Sequence, residues 1–256
     1  MECFSSGEGL SQRAWKIIEA GYASAINVRQ QHSFVVGLSG GSLPKLLGTS
    51  LPLSPALSSL DWSRCHFVFA DERCTSTLDH PDSNYNVCRL ELFSKLPALP
   101  PANIHAVDPS LASDPPKMAA AYAALLSQVC PAAPGSSLPQ IDVLLLGMGP
   151  DGHTCSLFPS HPLLEERTLT VAPIMDSPKP PPSRITLTLP VVNAAHSVVF
   201  VCTGDSKAAP LKSIFESDED GHKVPSKLVK PTSGSLIWLV DEPAVSLLTT
   251  TLIKRE

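Results

Sequence analysis

The chain has 256 residues, 43% hydrophobic and 17% charged, with a formal net charge of -5. A chain of that length buries roughly three quarters of the surface its unfolded form exposes, so a core forms without disulfide or metal staples. The acidic balance lacks the basic excess of a nucleic-acid surface, and an anionic ligand would need a local positive site rather than a global field.

Trp15, Ile18, Tyr22 and Ile26 recur at helical spacing, which predicts an amphipathic helix over 11–31. Residues 33–38 read as a short strand, ended by Ser39-Gly40-Gly41-Ser42, with a second helix opening there. Residues 65–70 form another buried-type strand that runs into Asp71-Glu72-Arg73. Residues 85–95 read as helix, as do 119–129 behind the Pro115-Pro116 start signal. The run 141–146 is Ile, Val and Leu apart from Asp142, and continuous apolar strands of this kind lie inside parallel sheets covered on both faces. Two further strands are expected over 185–189 and 198–203, then a helix over about 205–216, an exposed connection over 216–223, and a strand over 236–240 leading into a last helix. The 26 prolines gather between elements, notably at 97–101, 131–139 and 178–182, as suits rigid loops. Strands alternating with helices predict one α/β domain across 1–256, with a doubly wound, mainly parallel, Rossmann-like sheet and helices on both faces.

The seven cysteines are scattered and never form Cys-x-x-Cys, which is poor material for a disulfide framework or a zinc knot. A reducing compartment fits better. The start Met1-Glu2-Cys3-Phe4 lacks the basic opening and apolar run of a signal peptide, and no apolar stretch approaches the roughly 20 residues of a membrane span. The expectation is a cytoplasmic protein, monomer or weak homodimer, with no membrane or nucleic-acid partner.

In open parallel sheets, ligands bind beyond the carboxyl ends of the strands. Ser39-Gly40-Gly41-Ser42, Asp71-Glu72-Arg73, 147–153 and 204–207 all fall there. Gly37-Leu38-Ser39-Gly40-Gly41 matches the Gly-x-Ser-x-Gly elbow of serine esterases, which would make Ser39 a nucleophile. Only a helix is predicted upstream, however, so the earlier strand–helix loop that completes such an oxyanion hole is missing. The other readings are a plain structural turn and an anion nest, in which converging amides and a helix start hold a phosphate; the nest is the working expectation. Gly147-Met148-Gly149-Pro150-Asp151-Gly152 mimics a dinucleotide fingerprint, but Pro159 follows too soon for the helix such a fingerprint opens.

Asp151-Gly152-His153 is more informative: a carboxylate on a tight turn beside an imidazole orients it, and histidine exchanges protons near neutral pH. Cys155 beside His153 leaves a Cys–His nucleophile as an alternative. Lys207 stands at an expected helix start, where a cation is unfavourable unless an anion is near. Arg73, Asp71 and Arg184 complete the candidate set. No His-x-x-x-His or Cys/His cluster is present, so neither metal nor other cofactor is expected.

Taken in order, Ser39-Gly40-Gly41-Ser42, Asp71-Glu72-Arg73, Ser83-Asn84-Tyr85, the run Gly147 to Pro159, Ser177-Pro178-Lys179-Pro180-Pro181 and Arg184-Ile185-Thr186 resemble the 6-phosphogluconolactonase family, which shares its fold with glucosamine-6-phosphate deaminases. The chain departs from the family after Arg73, where Cys74-Thr75-Ser76 replaces x-Val-Pro. In the deaminases the Asp-Gly-His turn leads into Phe-Asn-Glu-Pro, whose Glu works in ring opening; here Ser156-Leu157-Phe158-Pro159 has no carboxylate. The resemblance implies a phosphorylated sugar lactone as substrate. His153 would be the general base, Asp151 its orienter and Arg73 the oxyanion stabiliser. The phosphate would lie on Ser39, Gly40, Gly41 and Ser42 with Arg184 and Lys207 as counter-charges, and Asp71 would line the substrate site. A deaminase and a non-catalytic sugar-phosphate-binding protein are the alternatives.

Overall fold

A computed structural model describes residues 1–51, 56–132, 135–217, 224–249 and 253–255. The chain opens with β1 (Glu2–Phe4), α1 (Gly7–Ala23), β2 (Phe34–Leu38), α2 (Leu43–Ser50), α3 (Ala56–Ser59), β3 (Cys65–Phe69) and β4 (Asp71–Arg73). Its middle holds α4 (Asn84–Glu91), α5 (Pro115–Val129), β5 (Val143–Leu146), β6 (Val171–Ile174), β7 (Arg184–Leu187) and α6 (Leu189–Ala194). It closes with β8 (Ser197–Cys202), α7 (Ala208–Glu216), α8 (Pro225–Leu228), β9 (Ser235–Asp241) and β10 (Lys254–Arg255).

Among the described residues, seven strands pair in the order β10-β1-β9-β8-β5-β2-β3, every pair parallel. The apolar runs sit as expected: β2 and β5 are buried along their whole length. Each fully buried Val or Leu there contributes roughly 1.5–3 kcal/mol of transfer free energy. Helices pack around the sheet, α1 lying against β2, β5 and β9 with α2 beside it. Trp15 is buried on α1 and donates its indole N–H to the carbonyl of Leu47 on α2, 3.0 Å away. Asp142, the one polar residue in the 141–146 run, is buried as well: it pairs with Arg29 and accepts from the Val35 N–H at 2.8 Å, tying β5 to β2.

Four readings are corrected. The strand expected over 185–189 is β7, and it joins β4 and β6 in a separate antiparallel sheet rather than the main one. Ala70 is the fork: its N–H donates to Leu38 in the main sheet, and its carbonyl accepts from Leu187 in the small one. A strand does precede the first helix, since β1 pairs with β9 and β10, although three residues leave no readable pattern. The helix expected after 240 is a single 3-10 turn at Pro243–Val245. The first helix ends at Ala23, and Ser24–Val28 continues it as a π turn. Positions 218–223 of the predicted connection lie outside the described residues.

Strands β8, β5, β2 and β3 are consecutive neighbours and run parallel, so the segments that follow them emerge at one end of the sheet. Those segments hold most of the residues singled out from the sequence.

Candidate active site

A cleft of about 190 Å³ opens at that end, lined by Ser39, Gly40, Gly41, Ser42, Asp71, Arg73, His153, Arg184 and Lys207. Every predicted site residue except Asp151 faces it, and Asp151 touches it through His153. Asn84, Met148, Cys155 and Thr203 also contribute to the wall.

The Asp151–His153 turn is built on Gly149. A Cβ there would lie 2.1 Å from two atoms of the His153 ring, so only glycine lets the imidazole lie across this backbone. The Gly149 N–H donates to the His153 carbonyl at 2.8 Å and closes the turn. No helix opens here, which removes the dinucleotide reading. Asp151 Oδ1 lies 2.5 Å from His153 Nδ1, and the ring packs on Phe158 with centroids 4.8 Å apart. Burial pushes the Asp151 pKa up, but the hydrogen bonds and charges of His153 and Lys179 outweigh it and hold the carboxyl at about 2. Burial draws the His153 pKa below its ordinary 6.5; Asp151 opposes that shift and Lys179 adds to it. At neutral pH the pair is therefore a carboxylate and a neutral imidazole with Nδ1–H bound to it, leaving the Nε2 lone pair able to accept a proton.

The glycine-serine turn differs from expectation in one amide. Ser39 N–H donates to Leu145 at 3.0 Å, extending the β2–β5 ladder, so it is not offered to a ligand. Nothing among the described residues accepts from the amides of Gly40, Gly41, Ser42 and Leu43, which open α2. The set of amides without an acceptor is thus shifted one residue along from the expected one, to 40–43. Gly40 is required by packing: a Cβ there would meet Asn84 Oδ1 at 1.9 Å.

The Ser39 hydroxyl is buried and no described residue pairs with it, so it has no base. The strand upstream, β1, lies four positions from β2, roughly 19 Å at about 4.8 Å per strand, too far to supply an oxyanion amide. The esterase elbow therefore fails on distance and not, as the sequence suggested, on the lack of an upstream strand. Ser39→Ala is expected to keep most of kcat in a steady-state assay, whereas loss of a true serine nucleophile costs roughly 10⁶-fold. The Cys–His alternative fails too, because burial pushes the Cys155 thiol well above its ordinary range and removes the thiolate.

Asp71-Glu72-Arg73 divides into three tasks. Glu72 is buried under the start of α4, where its carboxylate accepts from the N–H groups of Arg73, Asn84 and Tyr85 at 2.7, 2.8 and 2.8 Å and from the Ser83 hydroxyl at 3.1 Å. Asp71 accepts from Ser156 Oγ at 2.7 Å and from Asn84 Nδ2 at 3.2 Å. Arg73 donates to the Asp82 carbonyl at 2.7 Å, while its Nε is buried and has no partner among the described residues. Arg73 stands directly opposite Arg184 across β4 and β7, a like-charge juxtaposition that is unfavourable until an anion offsets it.

Arg184 does more than was expected of it. Its guanidinium donates to the carbonyls of Pro181, Lys179 and Pro180 at 3.0, 2.9 and 3.0 Å and so gathers the loop 179–181, in which Pro180-Pro181 is cis. None of these partners is a carboxylate, and its charge is left for the cleft. Lys207 stands at the N-cap position of α7, where its backbone N–H donates to the Gly204 carbonyl at 3.1 Å, and its side chain makes no hydrogen bond or ion pair among the described residues. The residue that sequence reasoning missed is Lys179, whose Nζ lies 3.1 Å from both Asp151 Oδ1 and His153 Nδ1. Its motif was visible, but a lysine between prolines reads as part of a spacer.

Ser156 and Leu157 are fully buried and Phe158 nearly so, and none supplies the carboxylate of the deaminase motif. The chain is 46% identical to the 6-phosphogluconolactonase of Rattus norvegicus and 45% to that of Homo sapiens, in each case over 96% of this chain and 92% of the relative. The solved 6-phosphogluconolactonase from Trypanosoma cruzi superposes with a TM-score of 0.81 at 26% identity, covering 98% of both chains. The profile of "Glucosamine-6-phosphate isomerases/6-phosphogluconolactonase" matches residues 5–238, and with these similarities it places the chain in that family.

Proposed function

We propose that the protein hydrolyses 6-phospho-D-glucono-1,5-lactone to 6-phospho-D-gluconate, the second step of the oxidative pentose phosphate pathway. The observation that carries this reading is the His153–Asp151 pair, 2.5 Å apart, in one cleft with the glycine-serine turn and Lys207. The similarity to the rat and human proteins of that name supports it.

The phosphate carries about -1.5 to -2 charge at pH 7. It lies on the amides of Gly40 to Leu43 at the start of α2, with Arg184 and Lys207 as counter-charges. His153 Nε2 takes a proton from water as the oxygen attacks the lactone carbonyl, and Asp151 holds the resulting imidazolium through Nδ1–H. Arg73 stabilises the oxyanion of the tetrahedral intermediate. When the intermediate collapses, the ring C–O bond breaks and His153 returns its proton to the departing ring oxygen, which becomes a hydroxyl. A lactone is an activated ester, so one base worth roughly 10²–10⁴-fold, with positioning by the remote phosphate, suffices without a cofactor.

Lys207→Ala is expected to raise KM for the phosphorylated lactone roughly 10- to 100-fold, the value of one charge-assisted hydrogen bond, with kcat little changed. An unchanged KM in initial-rate measurements would remove Lys207 from the phosphate site.

The whole chain acts as one domain, a monomer or weak homodimer of the cytoplasm. In support, all seven cysteines are free, and no helix of the described residues is long and apolar enough to cross a membrane. The test of the activity is acid release from freshly generated lactone in a pH-stat, corrected for spontaneous hydrolysis. Release well above background is expected. Ammonia release from glucosamine 6-phosphate without lactone turnover would assign the chain to the deaminases, and binding without either reaction would leave a sugar-phosphate-binding protein.

A further inference from the structure

The loop around Lys179 is braced from several sides. Ser177 Oγ donates to the Lys179 carbonyl at 2.8 Å and accepts from the Lys179 N–H at 3.2 Å, while the Arg184 guanidinium gathers the carbonyls of 179 to 181. Arg184 also reaches Ser156 Oγ at 3.4 Å, and Ser156 in turn donates to Asp71. This scaffold delivers one ammonium to the side of the imidazole that faces away from the free Nε2. Lys179 Nζ lies 3.1 Å from Asp151 Oδ1 and 3.1 Å from His153 Nδ1.

An ammonium has donors and no acceptor. Asp151 Oδ1 accepts from both Lys179 and the Nδ1–H of His153, and it is this carboxylate that holds the ring in the tautomer with Nε2 unprotonated. A proton added at Nε2 places a second positive charge beside the first, which the ammonium disfavours. The other groups facing His153 are Asp151 on its own turn, Asp71 on β4 and the ring of Phe158, on which Arg184 also packs at 5.8 Å. Arg73 and Lys207 stand elsewhere on the wall of the cleft. Among these, Lys179 is the cation in direct contact with the ring.

We propose that Lys179 is a positioning residue for the general base: its ammonium, held against both Asp151 and His153, opposes a second positive charge on the ring and so keeps Nε2 free to accept a proton. This rests on His153 being the base of the proposed hydrolysis. Lys179 is 36% exposed through its side chain, so substitutions there leave the core intact.

The experiment follows the ¹H–¹⁵N signals of the His153 ring through a pH titration of the whole chain, alongside kcat/KM for the lactone. In the wild type, Nδ1 carries the proton and Nε2 does not. In Lys179→Met, the loss of the cation makes the imidazolium easier to form. The ring titration and the acid limb of kcat/KM then move together to higher pH by roughly one unit. Lys179→Arg keeps the charge and holds both near their wild-type positions. A purely structural lysine would lower activity equally at every pH and leave the titration where it was, and that result overturns the proposal. So does a wild-type ring with its proton on Nε2. If the wild type does not hydrolyse the lactone, the functional reading fails, and the ring titration still decides the role of Lys179.

Discussion

Alanine at position 153 is expected to lower kcat for 6-phosphogluconolactone by about 10²–10⁴-fold, the usual contribution of a positioned general base. KM should move far less, because the groups assigned to the phosphate belong to α2, β7 and the start of α7 rather than to the Asp151–His153 turn. The pH profile follows from the same geometry. Burial keeps the His153 pKa below 6.5, so the ring is unprotonated at neutral pH and activity is full there. As pH falls through that lowered value, Nε2 gains its proton and kcat/KM declines. His153→Ala should abolish this acid limb as well as the rate. Near-normal turnover in the variant, measured against the spontaneous hydrolysis rate, would remove His153 from the chemistry.

Glu72→Ala should lower the stability of the fold by about 3–5 kcal/mol. The side chain is buried, and its removal strands three backbone N–H groups and the Ser83 hydroxyl without acceptors. Each unsatisfied buried donor costs roughly 1–3 kcal/mol, and local rearrangement recovers part of the sum. In a chain of this length, about 1 kcal/mol corresponds to roughly 2–4 °C, so Tm should fall by about 10 °C in a calorimetric scan. The loss should reach the site, since Asn84 at the head of α4 both holds Asp71 and packs on Gly40. A drop below about 1 kcal/mol would show that water takes over the carboxylate's role.

Much of this arrangement was legible in the sequence, and for physical reasons. The strands β2, β3, β5, β8 and β9 announce themselves because a parallel sheet buried on both faces needs continuous apolar side chains. Once they are placed, the segments at their carboxyl ends converge, and Ser39–Ser42, Asp71–Arg73, His153 and Lys207 assemble without further information. What stayed hidden depends on partners distant in sequence. β1 and β4 are three residues each, and β4 is entirely charged, so neither has a period to read; both exist because a neighbour offers a ladder. The periodicity of β7 reveals a strand but not its sheet, which is decided at Ala70. Ser39 looked free to bind an anion until the Leu145 carbonyl claimed its amide. Lys179 sits in a proline-rich stretch, and its role depends on Arg184 pulling that loop against the Asp151–His153 turn.

The central claim is that one end of the substrate is anchored as a phosphate while the other meets His153 across a single cleft. The most direct test compares kcat/KM for 6-phosphogluconolactone with that for unphosphorylated glucono-1,5-lactone under the same conditions. With Lys207, Arg184 and the α2 amides engaged, the phosphorylated lactone should be favoured by at least about a thousandfold. Rates within about tenfold of each other would mean that the phosphate anchor does not exist.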